Sequence, residues 1–190
     1  MTIRTSTARR ERTRERARRD ILEASAQVFA RRGYAAATLA ELAEAAGYAP
    51  PSLYRYFGSK EEIFESLIAL VTAEIQGAFD APVDRSAPLP ARLANLFVAL
   101  HRLAEGRGET LELLAAQVDA GERQARFEQL LEAWLRKHVG RAELRVPPAL
   151  AARVVAGILL AHQHVRPRAG SSPAESARAI ADLVLHGVSA

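Results

Sequence analysis

Apolar residues recur every three or four positions through most of the chain, and no stretch alternates strictly as a half-buried strand would. The pattern predicts an all-α protein of about nine helices. The first runs from about Thr13 to Arg32, with Ala17, Ile21, Ala24 and Val28 in one stripe that Leu22 and Phe29 widen. Arg31 and Arg32 suit its negative end, and Gly33 supplies a left-handed stop. The second opens on a capping box, Thr38 with Glu41, faces Leu39, Leu42, Ala43 and Ala46 inward, and closes at Gly47. The third starts at Pro50 or Pro51, because proline suits a first helical turn while disfavouring the helical region for the residue before it. Leu53 and Phe57, four apart, share its inner side. Gly58 ends it, and Ser59 with Glu62 caps a fourth helix that continues through Phe64, Leu67, Ile68, Val71 and Ile75 to about Phe79.

Beyond the proline-rich stretch Asp80–Pro90, five more helices are expected. The fifth carries Leu93, Leu96, Phe97, Leu100 and Leu103 and stops at the Gly106–Gly108 pair. The sixth spans about Glu109–Asp119, the seventh about Glu122–Val139, and the eighth begins at Pro147–Pro148 and reaches His164. Ser172, Pro173 and Glu175 start a ninth with the stripe Ala177, Ile180, Leu183, Val184 and Val188. The eighth is nearly apolar all round and therefore buried on several sides. The expected division is 1–60, a basic arm and a helix-turn-helix head, and 61–190, a helical body.

Charge sharpens this division. Residues 1–60 hold 12 Lys+Arg and 6 Asp+Glu, and residues 61–190 hold 14 and 16, so a head of +6 sits on a body of −2. A basic head is an electrostatic footprint for a polyanion. Residues 1–12, without apolar period and with Arg4, Arg9, Arg10 and Arg12, are expected to form a mobile basic arm. An apolar fraction of 49% is ample for a core. The absence of cysteine removes disulfides and thiolate metal sites. The longest apolar run, Val154–Ala161, is far short of the ~20 residues of a membrane span, and the N-terminus lacks the apolar core of a secretory signal. A cytoplasmic protein with no membrane association is expected.

The stretch Thr38–Lys60 carries the chemistry. Two short helices joined at Gly47 read as a helix-turn-helix, and the outer side of the second shows Pro51, Ser52 and Arg55 flanked by Tyr54 and Tyr56. Arginine can bind guanine bidentately, serine accepts several partners, and proline offers an apolar contact to a thymine methyl. Thr38, at the start of the second helix, is placed to reach a phosphate with its hydroxyl and the free amides beside it. Lys60, in the first turn of the fourth helix, opposes the helix dipole, which an anion bound there would explain.

These residues resemble the N-terminal domain of the TetR family of bacterial transcriptional regulators over roughly Arg14–Leu67. The matching features are the threonine-capped helix at Thr38, Ala46–Gly47, Leu53–Tyr54, Tyr56–Phe57 and Ser59–Lys60–Glu61. The resemblance implies that Thr38, Tyr54, Tyr56 and Lys60 contact phosphates of double-stranded DNA, that Pro50, Pro51, Ser52 and Arg55 approach bases, and that Tyr48 lies in the same interface. Tyr48 stands where the family usually has a small aliphatic residue, and Ala49 replaces its usual serine cap. The resemblance further implies a homodimer through the eighth and ninth helices and an effector pocket in the body, whose candidate lining is Phe97, His101, Gln117, Trp134 and His162. These are polar or aromatic groups on otherwise apolar faces.

The leading expectation is thus a ligand-responsive regulator, a repressor that binds a palindromic operator as a homodimer and is released by a partly apolar small-molecule effector. The competing reading is a constitutive or architectural DNA-binding protein without effector. An enzyme is not expected, since no nucleophile–base set, phosphate-cradling glycine loop or metal spacing is present. His162 and His164 fall on different helix faces, so neither a metal nor any other cofactor is expected.

Overall fold

A computed structural model describes residues 3–115, 119–162 and 175. Among these the fold is all-helical, with seven α-helices, one 3-10 turn and no strand. They divide into two compact units, Met1–Thr72 with Glu109–Ala116, and Ala73–Gly108 with Gln117–Ala190.

The first unit is built on α1 (Ile3–Arg32), α2 (Leu39–Ala45), α3 (Pro50–Leu53) and the first part of α4 (Lys60–Asp80). Its core joins Ile21, Leu22, Val28 and Phe29 of α1 to Leu42 and Ala43 of α2, Leu53, Phe57, and Ile63, Phe64 and Leu67 of α4. Phe29, Tyr34 and Phe64 form an aromatic trio with ring centroids 4.6–5.6 Å apart. Gly33 and Gly47 have φ of +76° and +75°, the backbone that a helix stop demands. At Gly47 the stop is a Schellman motif: Tyr48 N–H donates to the Ala43 carbonyl (2.8 Å) and Gly47 N–H to that of Glu44 (3.0 Å).

The second unit packs the end of α4, α5 (Leu89–Ala115) up to Gly108, α6 (Ala120–His138) and α7 (Pro148–His162) around Phe79, Leu93, Phe97, Leu131, Trp134, Leu135 and Val155. A 3-10 turn, Arg141–Glu143, links α6 to α7. The last carbonyls of α6 are capped by arginines: Arg85 donates to Lys137 O (2.8 Å), and buried Arg92 to His138 O and to the Glu143 carboxylate.

Several boundaries differ from expectation. The basic arm is helical from Ile3 onward, because arginine, alanine and glutamate favour helix and no glycine or proline interrupts them. The third helix holds its α form only over Pro50–Leu53 and then tightens into i→i+3 bonds, Arg55 N–H to Ser52 O (3.2 Å) and Tyr56 N–H to Leu53 O (2.8 Å). The fifth and sixth predicted helices are one helix, α5. Gly106 and Gly108 lack positive φ, so neither stops it, and Arg107 between them pins the segment through a two-bond pair with Glu74 (2.8 and 3.1 Å). The ninth predicted helix lies outside the described residues, apart from Glu175, which is helical.

Candidate nucleic-acid interface

Around residues 50–56 the chain has little freedom. Ala49 carries no side-chain cap, and Pro50 and Pro51 stand in the first turn, where missing N–H groups leave nothing unsatisfied. Leu53 and Phe57 are fully buried, so the backbone between them is held at both ends. Pro50, Pro51, Tyr54 and Arg55 are therefore exposed, with Tyr54 57% accessible, while Ser52 and Tyr56 are partly so. An exposed tyrosine and arginine on a proline-stiffened turn form a rigid polar face over an apolar anchor.

Arg18, not singled out in the sequence, locks this face to α1. Its guanidinium stacks 4.0 Å over the Phe57 ring, donates to the Tyr56 carbonyl and reaches the Glu62 carboxylate at 3.5 Å. Its position one turn before Ile21 and Leu22, at the margin of the apolar stripe, was the signal available. Glu62 accepts the Gly58 N–H (2.7 Å) while its own amide donates to Ser59 Oγ (3.1 Å), which fixes the start of α4.

Tyr48 packs its ring on that of Tyr56, centroids 5.5 Å apart and edge to face. Burial, then the Tyr56 hydroxyl, raises the Tyr48 phenol above its ordinary range. Thr38 is exposed at the start of α2, and its capping box is complete: Glu41 N–H donates to Thr38 Oγ1 (3.3 Å) and Thr38 N–H to Glu41 Oε2 (3.0 Å). These Thr38 hydrogen bonds, together with Arg32, hold the Glu41 carboxyl below the usual carboxylate range.

Lys60 has a different environment from the one expected. Its ammonium donates to the carbonyls of Tyr34 (2.9 Å), Ala37 (3.0 Å) and Ala35 (3.4 Å) and lies 4.6 Å from the Tyr34 ring centroid. All three donors of the group face the α1–α2 connection. The Tyr34 phenol, raised by burial and then by Glu61, donates to the Glu61 carboxylate (3.1 Å) on the same turn.

An open cleft of about 620 Å³ runs beside the face, lined by Arg9, Arg10, Thr13 and Arg14 of α1 with Arg55 and Tyr56.

Of the five effector-pocket candidates, the side chains of three are described. Phe97 and Trp134 are core residues. His101 is partly exposed and pairs with Glu105 one turn on (3.7 Å). Gln117 and the His162 side chain lie outside the described residues. A cavity of about 90 Å³ in the second unit is lined by Pro82, Asp84, Arg92, Asn95, Leu96 and Trp134 among others. It would hold about three waters and is well below the ~300 Å³ where small-molecule pockets begin.

A helix-turn-helix with an exposed polar turn and a basic flank defines a class, the helical DNA-binding regulators. Residues 21–67 match the model of bacterial regulatory proteins of the tetR family. The chain is 31% identical over 115 residues to the HTH-type transcriptional regulator YfiR of Bacillus subtilis, covering 60% of this chain and 50% of that one. It is 37% identical over 82 residues to the HTH-type transcriptional repressor KstR2 of Mycobacterium tuberculosis, covering 43% and 41%. The matched segments thus span half or less of these curated relatives. Among solved structures, the TetR family transcriptional regulator PfmR from Thermus thermophilus superimposes with a TM-score of 0.64 at 29% identity, over 87% of this chain and 97% of that one. Residues 21–67 thus carry the sequence pattern of the tetR-family regulatory domain, and the fold resembles that of a TetR-family regulator.

Proposed function

We propose that the protein is a transcriptional repressor that binds a palindromic operator in double-stranded DNA as a homodimer and leaves it when a small-molecule effector binds. The reading rests above all on the row of exposed Pro50, Pro51, Tyr54 and Arg55 with partly exposed Ser52, held over a core by buried Leu53 and Phe57. In this reading a head ending near residue 60 carries the row into the major groove, where Pro50, Pro51 and Ser52 approach base edges. Thr38, Tyr54 and Tyr56 bond phosphates, and Tyr48 supports the Tyr56 ring. Lys60 acts indirectly, by holding the α1–α2 connection that presents Thr38.

Repression is supported by the relative KstR2, which is named a repressor and shares an 82-residue segment with this chain. The homodimer is assigned to α7 and the segment that follows it. In α7, Leu150 and Val154 are exposed at 47% and 42%, apolar surface of the kind a partner helix covers. The effector is expected in the body, residues 61–190.

Selection of bound duplexes from a random pool tests the reading. A recovered palindrome whose half-sites lie about one helical turn apart supports the dimeric repressor. Recovery of unrelated sequences at equal affinity would favour the architectural alternative.

A further inference from the structure

The first turns of α1 carry an arrangement that the helix-turn-helix does not need. Residues 8–16 are exposed, and the first buried position after them is Ala17. At 100° per residue, Arg10, Arg14, Ala17 and Ile21 follow one another at spacings of four, three and four, so they share one face. The face that buries alanine and isoleucine against the core therefore continues outward as arginine. Thr13 and Arg9 lie to one side of it, and Glu11 and Glu15 to the other.

Helix stability alone does not call for an arginine face. Arg10 with Arg14 and Glu11 with Glu15 place like charges four apart, which the opposite pairs Glu11 with Arg14 and Glu15 with Arg19 offset. The bland role of such arginines, solubility, calls for no particular face. The cleft gives the face a use: it gathers Arg9, Arg10, Arg14 and Arg55 with Tyr56 and with Thr13, whose hydroxyl donates back to the Arg9 carbonyl (2.9 Å), and no carboxylate lines it. Arg12 stays out of it, its Nε turned back to the Ala8 carbonyl (3.2 Å). Four guanidiniums so gathered suit a run of phosphodiesters, each able to take a forked pair of hydrogen bonds.

We propose that this cleft is a phosphate clamp, in which Arg9, Arg10 and Arg14 of the helical arm grip one strand of the DNA backbone beside residues 50–56, and that Arg55 belongs to the clamp rather than to the base-reading row. The inference rests on the DNA-binding reading and assigns the arm a sequence-independent share of the affinity. Arg55, which by composition alone is a natural guanine reader, shares its surroundings with three other cations and a tyrosine. Those neighbours favour a phosphate over a base edge.

The test compares wild-type protein with the triple variants Arg9/Arg10/Arg14→Ala and Arg9/Arg10/Arg14→Lys. Affinity for a random-sequence duplex is measured by fluorescence anisotropy across a salt series, with helicity by circular dichroism as the folding control. Each lost phosphate contact lowers the slope of log K against log salt by about 0.9. The alanine variant should therefore lose about 2 to 3 from the slope, and the penalty for raising salt from about 50 to 200 mM should shrink roughly 40-fold. The lysine variant should keep most of the wild-type slope, because the slope counts charges. Arg55→Ala should weaken selected and random duplexes by the same factor.

An unchanged slope in the folded alanine variant overturns the clamp while leaving the DNA-binding reading intact. Loss of affinity for the selected duplex alone in Arg55→Ala returns that residue to base reading and removes it from the clamp. A wild-type protein that binds no duplex at any salt overturns both the clamp and the reading beneath it.

Discussion

Replacing Lys60 by methionine separates two roles that the sequence alone cannot distinguish. A lysine in the first turn of a helix is unfavourable to the dipole, and a bound phosphate would account for it. The structure accounts for it otherwise: the aliphatic stem carries the ammonium to the carbonyls of Tyr34 and Ala37, at 2.9 and 3.0 Å, with Ala35 at 3.4 Å. Hydrogen bonds to a charged group contribute about 1.5–3 kcal/mol. The side chain is partly exposed, which places the set near the lower end, and the Tyr34 ring at 4.6 Å adds about 0.5 kcal/mol, the low end for an exposed site. Lys60→Met keeps the stem and removes the donors, so a loss of about 2 kcal/mol is expected.

The assay is urea denaturation read in the near-ultraviolet circular dichroism of tyrosine, with salt-dependent DNA affinity measured alongside. All four tyrosines lie between residues 34 and 56 and the single tryptophan is Trp134, so the two units carry separate signals. The tyrosine transition should move to lower urea by the stated free energy, and the salt slope of DNA binding should not change. Unaltered stability together with a slope flatter by about 0.9 would show that the ammonium sits on a phosphate and would refute the carbonyl anchor.

Two further expectations follow from the same contacts. Thr38→Ala removes the α2 cap and should cost about 1 kcal/mol on the tyrosine transition, while Thr38→Ser should retain most of it. His138 lies 5.3 Å from Trp134 with both ring nitrogens buried and without a hydrogen-bond partner, and burial, then Lys137, Arg85 and Arg92, holds its pKa below the ordinary value. The unfolded chain therefore takes up the proton first. Stability read on Trp134 fluorescence should be full above about pH 6.5 and fall as pH drops below it, and His138→Phe should remove that component; a pH-independent transition in wild type would contradict the burial.

Much of the head was legible because its cues are local. Thr38–Glu41, Gly33 and Gly47 each fix a backbone conformation within a few residues, and Leu53 with Phe57 marks the inner side of the turn without reference to anything distant. Contacts across long separations were not legible. Arg18 meets Tyr56 and Glu62 from 38 and 44 residues away, and Lys60 reaches back 26 residues to Tyr34, so neither role has a sequence signature of its own. The α5 error has a different origin. Glycine ends a helix only where the chain adopts positive φ, and otherwise costs about 1 kcal/mol against alanine, which packing and the Arg107–Glu74 pair offset. The pocket residues were chosen by chemical type, and type does not say that Phe97 and Trp134 are core while His101 faces Glu105.

The central claim is that residues 50–52 read bases from a face that α1 and α4 hold rigid. The most direct measurement is the affinity ratio between the selected operator and a random duplex at one fixed salt concentration, for wild type and for Pro51→Ala/Ser52→Ala. Wild type should prefer the operator by ~10³-fold or more, and the double variant should lose most of that preference while binding random DNA as before. A double variant that keeps the full ratio, or a wild type with no preference to lose, would contradict the account.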